Sequence, residues 1–374
     1  MEEVQKPVFN KTQFIGSSPP EIFVGKYDYP HIYTGILAPI QSGDTDEFSN
    51  PETWFRKRAT IQQVLDYRKN LIYSRFKTDI KKVRVESKLH TALNQVAMAS
   101  KSVNAEFILN RAPSFNPIKE NSVPLIGNPA PLKNINIQEN PKIEKKVDYL
   151  VNDSYIKANQ GIKELYQNKI QISNIVKILS AGLLGMKKQR KMVPTKWAIT
   201  AVDDSISKEM LKKIKLFPEI NEFQLFHSEY LGNHYEILLL PDKFSFEVIE
   251  MAMKYPGVWH DYEGFFPRKE YASSVTGAYY ANRLALSEYL TKIHRQASAI
   301  FFREVRPEYT SPLGVGILRE VTRSAFQSQP EKYSTLNEAL QSIQTRLQLP
   351  ISQFTDKSII LKERGKQKRL NQWF

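Results

Sequence analysis

The run Tyr235-Glu236-Ile237-Leu238-Leu239-Leu240-Pro241 decides the fold class, because it reads as a strand closed by a proline. Working outward, Glu222 to Phe226 reads as a neighbouring strand, and Trp197 to Val202 as another that ends in Asp203-Asp204. Downstream, Phe244 to Met253 reads as a short helix. Gly277 to Gln296 reads as a longer helix with Leu284, Leu286, Leu290 and Ile293 mostly inward. Ala299 to Val305 and Val315 to Val321 read as buried strands, and Ser334-Thr335-Leu336-Asn337-Glu338 starts a late helix. Interspersed helices and strands predict an α/β or α+β body with a mixed sheet. No internal repeat is visible.

The first half carries its own signals. Glu21 to Val24 reads as a short strand after the turn-rich stretch Phe14-Ile15-Gly16-Ser17-Ser18-Pro19-Pro20. Asn50-Pro51-Glu52 opens a helix, with Asn50 as the cap and Pro51 in the first turn. Val64, Leu65, Leu71 and Ile72 extend that helical period to about Tyr73. A second helix is expected over Glu86 to Ala99, with Leu89, Leu93 and Val96 on one face. Residues 112–148 hold Pro113, Pro117, Pro124, Pro129, Pro131 and Pro141, which predicts an extended, surface-draped arm. Two helices follow near 153–167 and 172–184, then the basic run Lys187-Lys188-Gln189-Arg190-Lys191.

Composition bounds the function. Hydrophobic residues make up 41% of the 374 and charged residues 25%, the balance of a folded chain able to bury a core. No stretch is long and apolar enough for a membrane span, and Met1-Glu2-Glu3 does not begin a signal peptide, so a cytoplasmic protein is expected. The absence of cysteine excludes disulfides, cysteine-based metal sites and a thiol nucleophile. A net charge of +14 suits a polyanionic partner, and equally suits a merely soluble basic protein.

The end of the chain reads Gln367-Lys368-Arg369-Leu370-Asn371-Gln372-Trp373-Phe374. One helical turn brings the glutamine, the aliphatic at +3 and the aromatics at +6 and +7 to one side. This is the pattern of a peptide that docks on the PCNA sliding clamp. Leu370, Trp373 and Phe374 would fill an apolar pocket and Gln367 would bond at its edge. The polar stretch Lys362-Glu363-Arg364-Gly365-Lys366 before it suits a solvated, flexible tether. The bland alternative is a tail packed on its own body.

Longer segments add a resemblance. Phe14 to Gly25, Met192 to Asp204 and Tyr230 to Pro241 resemble the archaeal Nre family of DNA repair proteins. So do His260-Asp261-Tyr262-Glu263-Gly264, Arg303 to Tyr309, Pro312-Leu313-Gly314-Val315 and Arg319-Glu320. The resemblance implies a role in archaeal DNA damage tolerance, recruitment by PCNA and a nucleoid-associated location. It supplies no reaction. Some relatives carry an N-terminal cysteine cluster resembling a zinc finger, and this chain has no cysteine to form it. On this basis 1–250 is expected as the N-terminal-type region with its proline-rich arm. Residues 251–361 are expected as the C-terminal-type region, and 362–374 as the tail.

Candidate chemistry stays open at this level. Gly16-Ser17-Ser18 could cradle a phosphate or form an ordinary turn. Asp203-Asp204 could hold Mg²⁺ with phosphate oxygens or cap a helix. His234 and Glu236 alternate on a strand and share a face. His260, Asp261 and Glu263 form the densest set of acid and base groups, suited to catalysis or to structure. Arg303, Arg306 and Arg319 could clamp phosphates or pair with neighbouring glutamates. Tyr27, Trp259 or Tyr262 could stack on a base. A pocket collecting these groups would take a nucleotide, an ADP-ribose-like molecule or a nucleic-acid end. Three functions therefore compete: a clamp-recruited DNA-binding repair factor, an enzyme on phosphodiester or nucleotide bonds, and a clamp adaptor without catalysis. No metal site and no cofactor is specified by any motif, since neither a Walker loop nor a His-Glu-x-x-His is present.

Overall fold

The computed structural model describes residues 11–84, 87–120 and 122–366. The chain divides into two compact units, 1–206 with 312–316 and 207–311 with 317–374.

The first unit is built on a six-stranded sheet. Its strands are β1 (Gln13–Ser18), β2 (Glu21–Val24), β3 (His31–Ala38), β4 (Ile72–Asp79), β5 (Val103–Leu109) and β6 (Asn128–Ile137), in the order β1-β5-β6-β4-β3-β2. Its helices are α1 (Pro51–Arg56), α2 (Ile61–Lys69), α3 (Lys88–Met98), α4 (Lys145–Asn152), α5 (Ala158–Gln167), α6 (Ile172–Ser180) and the start of α7 (Thr195–Ile214). Asn50 caps α1 as its sequence requires: its side-chain oxygen accepts from the amides of Glu52 and Thr53 at 3.1 and 3.3 Å. The helical period read through Tyr73 stops earlier, at Lys69, and Ile72 begins β4. Tyr73 is buried there against Phe23, Leu37, Phe48 and Leu71.

The proline-rich arm is extended, but part of it is an inner strand. Ala130, Leu132 and Ile135 of β6 are buried. β6 pairs in parallel with β4 over Asn128–Pro131, then turns to pair antiparallel with β5 from Leu132 onward. Asn128 donates its amide to Leu71 on the β4 side, so alternation directs positions 129 and 131 the other way. Prolines there remove donors that β4 would not have received, which is how an inner strand tolerates them. Residues 145–148, the expected end of the same arm, begin α4 instead, which runs to Asn152.

The second unit holds β7 (Phe223–Tyr230), β8 (Asn233–Leu240), β9 (Ser245–Ala252), β10 (Val258–Glu263), β11 (Ser298–Val305) and β12 (Glu331–Tyr333), in the order β10-β9-β11-β8-β7-β12. With them go α8 (Gly277–Ile293), α9 (Val315–Ala325), α10 (Leu336–Arg346), α11 (Ile351–Thr355) and α12 (Ile359–Lys366). Every residue of β8 is buried, so both faces of this sheet are covered. One face packs Leu238, Ile249 and Phe302 under Ala339, Ile343, Phe354 and Ile360. The other sets Phe246 against Tyr279 of α8. Thr335 and Glu338 make a full capping box at the start of α10.

Three expected elements differ. Trp197–Val202 is not a strand but part of α7, where Ala198, Val202 and Ile206 recur every four residues and are buried. Phe244–Met253 is not a helix: Ser245–Ala252 forms β9, parallel to β11. Val315–Val321 is helical, within α9. Lys362–Lys366 closes α12, with Glu363 accepting from the Tyr262 hydroxyl at 3.0 Å and Arg364 lying 5.3 Å from the Phe223 ring centroid.

Candidate nucleic-acid interface

The sequence candidates of the second unit lie in a network of internal ion pairs. His234 meets Glu229 through Nδ1 at 3.2 Å and Glu236 through Nε2 at 2.9 Å, so His234 and Glu236 share a face as expected. Arg346 of α10 bonds both oxygens of Glu236, at 2.9 and 3.0 Å. Glu304 accepts the amides of Gln348 and Leu349 at 2.9 and 2.7 Å, and Arg306 reaches Glu304 at 3.1 Å and Glu229. Arg303 is buried between Glu250 and Asn233. His260 meets Glu247 at 2.6 Å, and the same carboxylate accepts from Ser358 Oγ at 2.6 Å and from the amide of Ile359 at 2.6 Å. These carboxylates clip the C-terminal helices onto the sheet.

The proposed acid–base set is not gathered. His260-Asp261-Tyr262-Glu263 is strand β10, not a loop, so His260 and Asp261 point to opposite faces. Asp261 accepts the amides of Ser274 and Val275 at 3.1 and 2.7 Å and a 3.0 Å bond from Arg268. The register runs His260, Ile249, Phe302, Glu236 across four strands. At strand spacing that puts His260 about 14 Å from the His234 and Glu236 strand. Asp203 belongs to the first unit, buried in mid-α7 rather than at a strand end. Arg319 is buried on α9. Trp259 and Tyr262 lie on the edge strand β10, Trp259 partly exposed. Among the described residues no group of three or more His, Asp or Glu could hold a metal ion.

Gly16-Ser17-Ser18 is the end of β1, neither a loop nor a free turn. Ser17 Oγ bonds Asn104 and accepts from the Gly43 amide at 2.8 Å, and Ser18 Oγ donates to Leu37 O at 2.8 Å. A Cβ at Gly16 would stand 2.1 Å from the Pro39 carbonyl oxygen, so close backbone approach explains the glycine. Behind Ser17 opens a polar cleft of about 750 Å³ lined by Asp46, Asn50, Thr53, Arg56 and Asn104 among others. Beneath it Glu52 has a buried carboxylate oxygen without a hydrogen-bond partner. Burial pushes the Lys177 ammonium down to about 8, against the opposing pull of Glu21, Glu52 and Asp46.

A different surface of the first unit combines exposed rings with cations. The turn after β2 presents Tyr27, 72% exposed, and Tyr29. Trp197, in the first turn of α7, lies 5.3 Å from the Tyr29 ring. Its helix start is held to β2 by the Thr195 hydroxyl, which accepts the Val24 amide at 2.9 Å. Register pairs Tyr33 with Lys77 and Gly35 with Arg75, so these side chains share the outward face of β3 and β4. Arg75 sits 4.4 Å over the Tyr33 ring, a cation–π contact, and among the described residues it has no carboxylate partner. Lys77 reaches Asp28 at 3.3 Å on the exposed rim. Beyond this face, the amide of Met192 donates to Ile80 O at 2.9 Å. That bond joins the ends of two basic runs, Lys81-Lys82 and Lys187–Lys191, whose lysines are exposed. Four solvent-facing aromatics interleaved with cations are an arrangement chemically suited to stacking bases and tracking phosphates. Of these residues the sequence alone singled out Tyr27. The alternation in His31-Ile32-Tyr33 and Arg75-Phe76-Lys77 marks Tyr33, Arg75 and Lys77 as outward on their own strands, but nothing local brings the two strands, Tyr29 or Trp197 together.

The clamp-peptide residues Gln367, Leu370, Trp373 and Phe374 lie outside the described residues. Among those described, no helix is long and apolar enough to cross a membrane.

Two family models match the chain, and they meet inside the second unit. Residues 1–260 match the family model described as Archaeal Nre, N-terminal, and residues 263–373 match Archaeal Nre, C-terminal. DNA repair protein NreB of Archaeoglobus fulgidus is 34% identical over 380 residues, covering 99% of this chain and 94% of that protein. DNA repair protein NreA of the same organism is 32% identical, covering 90% and 86%. DNA repair protein NreA of Haloferax volcanii is 31% identical, covering 92% and 85%. No solved structure matches the chain.

Proposed function

The chain belongs to the archaeal Nre family, and from that premise we propose that it is a DNA repair factor that binds DNA through the aromatic–basic face of its first unit and is brought there by the sliding clamp. The relatives named DNA repair proteins support the process. The observation that carries DNA binding is the exposed set Tyr29, Tyr33, Trp197 and Lys77 with the half-buried Arg75, in which rings offer faces to bases and cations offer charge to phosphates. The net charge of +14 favours the same partner. The terminal Gln-x-x-Leu-x-x-Trp-Phe pattern supports clamp recruitment and, with it, a nucleoid-associated location. The reading as an enzyme on phosphodiester or nucleotide bonds draws no support from His234, His260 and Asp261, whose polar atoms serve internal bonds.

Fluorescence anisotropy with a labelled single-stranded oligonucleotide tests the interface. Binding is expected to weaken steeply with salt, and the Tyr33→Ala, Arg75→Ala double variant is expected to bind at least tenfold more weakly. Salt-independent binding, or an unaffected double variant, sinks the interface. Calorimetry against purified clamp tests recruitment separately. A chain ending at Lys366 is expected to give no heat while keeping its circular dichroism spectrum, and undiminished clamp binding by that chain refutes the peptide.

A further inference from the structure

The first unit contains a crevice where its sheet splits. β6 leaves β4 after Pro131 to join β5, so Phe76–Asp79 of β4 pair with β3 alone. Between that strand end and the first turn of α3 lies a crevice of about 640 Å³. Phe76 and Leu89 give it apolar walls. His90, 8% exposed, forms its inner end, with the Phe76 ring set edge-on at 5.2 Å. His90 Nδ1 lies 2.6 Å from Ser87 Oγ, and Nε2 lies 3.1 Å from Thr78 Oγ1. Burial, with Lys82 nearby, holds the imidazole below its ordinary pKa, so at neutral pH it presents one donor and one acceptor. Ser87 Oγ also accepts the His90 amide at 3.3 Å as the cap of α3, and Thr78 Oγ1 donates to Asp79 O at 3.4 Å, so each hydroxyl keeps an acceptor lone pair for a guest. Lys77 and Lys82 line it together with Asp79, whose carboxylate meets His31 Nδ1 at 3.7 Å. Lys77 alternates with Phe76 and Thr78 along β4, so it joins the crevice at the strand's free edge to the aromatic–basic face on the other side.

Apolar walls with a few convergent polar groups are the composition of a site for a flat heteroaromatic ring. Two lysines, against one carboxylate that His31 already meets, suit the phosphates on either side of it. We infer that this crevice receives a single nucleobase turned out of the strand bound on the neighbouring face, an inference that rests on the proposed DNA binding. The ring lies along Phe76 and Leu89. Its polar edge meets Thr78, Ser87 and His90, and its flanking phosphates meet Lys77 and Lys82. Turning a base out costs a few kcal/mol, and least for a base that is mismatched or unpaired. The crevice therefore favours DNA in which one base has already lost its partner.

The test uses the full chain and a duplex carrying 2-aminopurine opposite an abasic position, with anisotropy and 2-aminopurine fluorescence read on the same samples. Wild type is expected to bind and to raise the fluorescence several-fold as the base leaves the stack. Leu89→Trp, which fills the crevice, is expected to lose at least half of that rise while the duplex still binds through the aromatic–basic face. Thr78→Val keeps the volume and removes one hydroxyl, and serves if the tryptophan variant misfolds by circular dichroism; it too is expected to lower the rise. Binding without a rise, or a rise unchanged in both variants, overturns the crevice and leaves the DNA-binding face standing. Absence of binding overturns both.

Discussion

The two sheets use the same residue types to opposite ends. In the second unit charges are enclosed and answered pair by pair. Arg283 and Glu263 are each 1% exposed and 2.7 Å apart, Arg346 holds Glu236 with two bonds, and Glu247 takes His260, Ser358 and the start of α12. In the first unit the outward face of β3 and β4 leaves Arg75 over a tyrosine ring instead of a carboxylate. Density of charged groups is therefore a poor guide to a binding surface, and the proposed interface rests instead on a charge without a committed counter-ion. The contrast predicts that Arg283→Met strands a buried carboxylate and costs about 3–5 kcal/mol in urea denaturation. Arg75→Met is expected to change stability by no more than about 0.5 kcal/mol, as surface substitutions do. Comparable losses from the two would erase the distinction.

The next largest effect falls on the other side of the comparison. Base stacking on an aromatic is worth about 1–3 kcal/mol per base, so Trp197→Ala is expected to weaken single-strand binding about 5- to 150-fold. Trp259→Ala on β10 is expected to leave binding within twofold. Trp259 is also partly exposed, and its strand carries Asp261 and Glu263 in place of free cations. A titration in which the two tryptophans matter equally would move the interface or spread it over both units.

Legibility in the sequence followed the range of the forces involved. Caps are local, so Asn50-Pro51 and Thr335-x-x-Glu338 were readable and fell where expected. Buried strands such as β8 and β11 were readable from their apolar runs. β9 was misread because both of its faces are covered, which hides the period of two. α7 was misread because Trp197, Ile199 and Thr200 favour strands individually, while its burial recurs every four residues. The His260-Asp261 cluster looked dense because neighbours in sequence were counted together, although a strand sends them apart. The ring and cation of Tyr33 and Arg75 meet only through the pairing of β3 with β4, a register 42 residues apart that no local pattern encodes. As a check on the readable part, Asn50→Ala is expected to cost about 1 kcal/mol, since two α1 amides lose their acceptor. Hydrogen exchange in residues 51–56 would report it, and unchanged protection there would deny the cap its role.

The smallest expected effect concerns the histidines, among which His90 stands apart, since His31 of its own unit meets Asp79 at 3.7 Å. In the second unit, His234 and His260 touch carboxylates. In the first, His90 lies between two hydroxyls and an aromatic edge, and burial followed by the nearby Lys82 lowers its pKa from 6.5. The sign follows from proton linkage. Above pH 6.5 the ring is neutral in both folded and unfolded chains and pH has no effect through it. Below 6.5 the unfolded chain takes up the proton first, so the fold loses stability as pH falls toward the lowered folded value. Protection of α3 amides against hydrogen exchange is therefore expected to fall between pH 7 and pH 5.5, after correction for intrinsic rates, and His90→Gln is expected to flatten that fall. A slope that survives the substitution would place the acid sensitivity of the first unit elsewhere, and would leave His90 as a neutral wall of the crevice at every pH at which the protein stays folded.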